Sequence, residues 1–83
     1  MTALDPTTRF AADTYLAVAR SYADAAAWGK VAAVCRRGVA DHPADPRLWD
    51  QLGVAAWAAD DWPTAAWALE TAALYAPLRP LAR

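Results

Sequence analysis

The feature that most constrains this chain is a return of the same residue size classes every 34 residues. Tyr15 returns as Trp49, Val18 as Leu52, Ala19 as Gly53 and Trp28 as Trp62. Val31 returns as Ala65, Cys35 as Leu69, Gly38 as Ala72 and Pro43 as Pro77. Self-similarity at a fixed period of this length marks a repeat architecture, in which one supersecondary unit stacks on the next. Two units fit, residues 12–45 and 46–79, inside a single domain spanning 1–83.

Helix signals follow the same register. Asp5-Pro6 and Asp45-Pro46 each offer an acidic cap and then Pro in the first turn, where its missing N–H costs nothing. Asp60-Asp61-Trp62-Pro63 is a third start of this kind. The first helix is therefore expected over residues 6–26 and the third over 46–59. The fourth should run from about Trp62 to Ala76 and stop at Pro77. The second lacks a clean start; it is expected from near Trp28 to just before Pro43, since a residue preceding Pro resists the α region. Tyr15, Val18 and Tyr22 fall at the spacing of a buried helical stripe. No segment alternates with period two. The expected fold class is all-α, with four helices in two antiparallel helix-turn-helix hairpins.

Composition limits what such a fold can do. The 58% hydrophobic content overstates the burial on offer, because 24 of the 83 residues are Ala. The five Trp must supply much of it, with Trp28, Trp49 and Trp62 expected in the core because they recur in size or sit at repeat positions. A net charge of −1 argues against nucleic acid as a partner. A lone Cys excludes an internal disulfide and a multi-Cys zinc site. No apolar run approaches the roughly 18 residues of a membrane span, and no basic-then-apolar signal opens the chain. A cytoplasmic protein with no direct membrane insertion is expected. The absence of Ile and Asn, with a single Lys and a single Glu, is the bias of a GC-rich coding sequence and points to a bacterial source.

The second unit resembles the tetratricopeptide repeat (TPR) family. The residues that carry the likeness are Trp49-x-x-Leu52-Gly53, Ala65, Leu69, Ala72 and Pro77, with Ala56 departing from the family's usual aromatic. In the first unit Tyr15, Val18, Ala19, Tyr22 and Pro43 fit, while Val31, Cys35 and Gly38 depart. The resemblance implies two hairpins of tetratricopeptide type, forming a short right-handed solenoid that binds protein rather than performing chemistry. Its concave groove would be lined by the first helix of each hairpin: Leu16 and Arg20 from one, Arg47, Asp50, Gln51, Val54 and Trp57 from the other. Acids at Asp13, Asp24 and Asp50 and the lack of Asn argue against the family's clamp for a C-terminal carboxylate. Arg20 and Arg47 would instead meet an acidic peptide or helix, with Leu16 and Trp57 as apolar anchors. The alternative is that Arg20, Arg47 and Asp50 pair among themselves and Trp57 fills the gap left by Ala56.

A solenoid's last face needs a polar cap or a neighbour. The fourth helix carries Trp67, Leu74 and Tyr75 beyond an inward Leu69, and only Glu70 and Thr71 make it polar. Trp67, Leu74 and Leu78 are therefore expected to form an interface, with a second copy or a larger partner. The alternative is that the tail, Leu81 included, folds back over Trp67.

Candidate chemistry is sparse. Cys35 occupies an apolar repeat position and reads as a buried thiol. His42 sits at a helix end, where it suits the C-terminal dipole. Asp60 and Asp61 read as caps, and Ser21 has no base partner in any motif. No enzyme, cofactor or metal is expected. The expected function is a non-catalytic protein–protein interaction module, a small adaptor or assembly subunit that forms an oligomer or docks on a partner. The alternatives are a dedicated bacterial secretion-type chaperone and a structural accessory subunit of a larger enzyme or membrane complex.

Overall fold

A computed structural model describes residues 8–76. They form α1 (Ala12–Asp24), α2 (Trp28–Asp41), α3 (Pro46–Ala58) and α4 (Trp62–Tyr75), and no strand occurs among them. Consecutive helices pack pairwise, α1 on α2, α2 on α3 and α3 on α4, and α1 also touches α3. So α3 lies against both earlier helices, while among the described helices α4 packs on α3 alone.

Two helix starts match the cap chemistry. Asp45 Oδ1 accepts the Arg47 backbone N–H at 3.0 Å, and Asp61 Oδ1 accepts that of Thr64 at 3.3 Å. Pro46 and Pro63 follow in the first turns. Ala27, ahead of α2, gives no side-chain cap. The first helix departs from expectation by beginning at Ala12 rather than at residue 6; the Asp5-Pro6 signal itself lies outside the described residues. The reason is long-range. The segment from Thr8 to Phe10 is tied to the end of α2 instead of continuing a helix. Arg37 Nη2 donates to the Thr8 carbonyl and Arg9 Nη2 to that of Asp41, both at 2.6 Å. His42 Nε2 donates to the Phe10 carbonyl at 2.7 Å. The Tyr15 hydroxyl donates to the Asp41 carboxylate and accepts the Phe10 N–H. The Arg37 guanidinium lies 5.5 Å from the Phe10 ring centroid and 5.7 Å from that of Tyr15, a favourable cation–π placement. His42 thus closes α2 through its own N–H on Gly38, and its ring serves the segment ahead of α1.

Both hairpins turn the same way. Ala27 N–H bonds the Tyr22 carbonyl at 2.9 Å, and 34 residues on Asp61 N–H bonds the Ala56 carbonyl at 2.8 Å. This six-to-one bond is the Schellman closure, whose turn residue sits in the left-handed region. Ala26 and Asp60 take that role, with φ of 55° and 61°, although neither is the usual Gly.

The core gathers Tyr15, Val31, Cys35, Leu48 and Leu52, all fully buried, around small residues that let the helices close in. Gly38 is the tightest such point between hairpins. A Cβ there would stand 2.9 Å from Leu48 Cδ2 and 3.3 Å from Tyr15 Cβ. Gly53 does the same within the second hairpin, 2.7 Å from Leu69 Cγ and Cδ2. Trp49 is buried and Trp28 packs partly buried against the core. Trp62 is a correction: it is half exposed, because among the described residues no helix lies on the outer side of α4 to cover its first turn. Leu69 is likewise 38% exposed rather than inward, since it rests on Gly53 at the edge of the α3–α4 contact.

Candidate interaction surfaces

The seven groove positions foreseen from sequence lie on α1 and α3. Leu16 and Gln51 are half-buried, while Arg20, Arg47, Asp50, Val54 and Trp57 are exposed. The charges do not pair among themselves. Arg47 Nη1 donates to Asp13 Oδ1 at 2.9 Å, and its Nε and Nη2 donate to the two Asp45 oxygens at 3.1 and 2.8 Å. The physical cause is the junction: Asp45 must sit at the start of α3 to cap it, two residues from Arg47, and α1 brings Asp13 alongside. The side-chain hydrogen bond from Arg47 holds the Asp45 carboxyl below its ordinary range. The same bond, then that to Asp13, pushes the Arg47 guanidinium further up.

Trp57 does not fill a gap beside Ala56. Ala56 is itself buried, and Trp57, the next residue round the helix, is 59% exposed. Its ring stands edge-on to Trp62, with centroids 4.5 Å apart and planes at 81°. The two rings form an outward aromatic corner joining α3 to the start of α4.

The face of α4 away from α3 is apolar and open. Trp67 is 52% exposed, Leu74 81% and Tyr75 47%. Trp67 also leans edge-on against Trp49, 4.9 Å between centroids. Trp49 is fixed in turn by donating its Nε1–H to the Pro43 carbonyl at 2.8 Å. Glu70 is the only charge on α4, and only Ala65, Ala68 and Ala72 are buried. A helix apolar on most sides is normally covered on most sides; among the described residues this one is covered on one. Leu78, named for the same interface, and Leu81, named for the fold-back, lie outside the described residues.

One feature escaped the sequence. Where the start of α3 meets the end of α4, a cleft of about 430 Å³ opens between Arg47 and Asp50 on one side and Leu69, Ala72, Ala73 and Ala76 on the other. It joins the groove residues of α3 to the open side of α4, which sequence treated as separate surfaces. The available signal was the run of small residues ending α4.

The candidate chemical groups serve the fold. Cys35 is fully buried, and burial pushes its thiol up to about 11, so it is a poor nucleophile. Asp61 caps α4 and lies 3.9 Å from Arg36. Ser21 Oγ donates to the Ala17 carbonyl in its own helix. Among the described residues no three His, Cys, Asp or Glu gather as metal ligands, and no helix is long and apolar enough to cross a membrane. Comparison with protein-family models, curated proteins and solved structures gives no match.

Proposed function

We propose that this chain is a non-catalytic protein–protein interaction module of tetratricopeptide type, a small adaptor or assembly subunit that works through its α3–α4 side. The repeat reading is supported by the turn bonds and left-handed residues that recur 34 positions apart in the two hairpins. It is further supported by the small, buried pairs Ala19 with Gly53 and Gly38 with Ala72. The observation that carries the functional reading is the uncovered apolar side of α4, with Trp67 and Leu74 exposed beside a cleft. Exposed apolar surface of this continuity marks protein contact in soluble chains.

The test is capture of partners from the native host with wild type and Trp67→Asp in parallel. Trp67 is half exposed, so the variant should keep its fold, checked by circular dichroism. Specific partners held by the wild type and lost with the variant support the reading. Partners held equally by both would move binding off the open side of α4, to the α1 positions Leu16 and Arg20, and overturn it.

A further inference from the structure

We infer that the open α3–α4 cleft is the receptor for α1 of a second copy, joined head to tail. The inference rests on the protein-interaction reading above and names its partner. Its basis is the way α3 already docks inside one chain. There Leu48 and Tyr15 both close on Gly38, whose would-be Cβ stands only 2.9 Å from Leu48 Cδ2 and 3.3 Å from Tyr15 Cβ. Beside it, Arg47 bonds Asp13 at 2.9 Å, a pair 34 residues apart. Moving that dock on by 34 residues turns Asp13 into Arg47, Cys35 into Leu69, Gly38 into Ala72 and Val39 into Ala73. All four of the later residues line the open cleft. The cleft is therefore the second instance of a surface whose first instance is filled by a helix.

The occupant's chemistry follows from the same shift. The 34-residue counterpart of α3 is α1, and a second copy supplies it. Asp13 then takes the place of Arg47 and faces Arg47, so the ion pair is kept with its members exchanged. Thr14 takes the place of Leu48. The smaller side chain matches the smaller space, because Ala72 carries the methyl that Gly38 lacks. The burial pattern agrees. Leu48, Leu52 and Ala55 are fully buried, while their α1 counterparts Thr14, Val18 and Ser21 all keep surface, as residues awaiting a neighbour would. A contact between two different patches leaves one patch free at each end of a pair, so it extends into a ring or an open array.

The experiment is sedimentation velocity of the full chain over a wide concentration range, with two variants. Ala73→Arg blocks the cleft and Ala17→Arg blocks the docking side of α1; both residues are exposed, and circular dichroism checks the fold. The wild type should grow past dimer with concentration. Each variant alone should stay monomeric. An equimolar mixture should form a dimer and nothing larger, since one intact cleft and one intact α1 remain between the two chains. A wild type that stays monomeric throughout, or a mixture that stays monomeric, overturns the inference; so does Ala17→Arg dimerising alone, the mark of a symmetric α4–α4 pair. If the wild type is monomeric yet the capture experiment still loses partners with Trp67→Asp, this inference fails and the interaction reading stands. If neither effect is seen, both fail.

Discussion

In the first half of the molecule Gly38 and Tyr15 hold Leu48 out of water completely. In the second half their counterparts Ala72 and Trp49 adjoin an open cleft and a half-exposed Trp67. The two hairpins share their helix lengths and turn bonds. What differs is whether a third helix arrives. The ends are also secured differently. The segment before α1 is tied to α2 and His42 by three hydrogen bonds that Arg9, Arg37 and His42 donate to main-chain carbonyls. The open side of α4 offers only Glu70 as a charge. Equal local structure thus yields unequal burial, and the unequal half is where binding is to be sought.

The sharpest way to break this comparison is to cut back one large residue from each half. Leu48→Ala leaves a cavity in the filled dock and should cost about 2–5 kcal/mol, read from denaturant unfolding. Leu74→Ala, at 81% exposed, should stay within about 0.5 kcal/mol. Similar losses would mean that the halves are equally closed.

A finer contrast uses the two glycines. Gly38→Ala presses on Leu48 and the Tyr15 Cβ, both enclosed, and should destabilise by about 1–3 kcal/mol. Gly53→Ala meets Leu69 even more closely, but Leu69 is partly exposed and can swing outward. The change also recovers roughly 0.5–1 kcal/mol of helix propensity. It should be nearly neutral by the same measurement, whereas Gly53→Leu exceeds what Leu69 can yield and should destabilise. Equal penalties for the two Ala variants would show the α3–α4 contact to be as rigid as the inter-hairpin one.

The smallest effect is a pH dependence confined to the filled half. The Cys35 thiol is pushed up from 9.0 to about 11 by burial. An acid whose folded value is raised binds its proton more tightly when folded. Its contribution is therefore complete below pH 9 and is lost as pH rises towards 11. Stability of the wild type should fall across that window by more than stability of Cys35→Ala. Native alkylation offers a parallel check: Cys35 should react only as fast as the chain opens, whereas Leu69→Cys on Cys35→Ala should react at once.

Much of the architecture was legible because it is written in local chemistry. Asp45-Pro46 and Asp61-Trp62-Pro63 set two helix starts through a carboxylate two or three residues from the N–H it accepts, a relation visible in any sequence. The start of α1 was misread because its determinants, Arg37, Asp41 and His42, lie some thirty residues away. The Arg47–Asp13 bond was hidden for the same reason, since Asp13 comes from another helix. Trp62 and Leu69 occupy core positions by period, but period fixes direction and not cover. The cleft was invisible because no single helix contains it.

The sequence alone determined that the described residues are all-α with four helices, where α3 and α4 begin, and which residues share a face. Hydrogen-bonding caps, Pro geometry and helical spacing act over a few residues, so they can be read without a structure. Tertiary structure alone decided which of those faces are covered. Burial depends on what a face meets, and only the packing of α3 onto α1 and α2, with nothing described beyond α4, separates a filled dock from an open one.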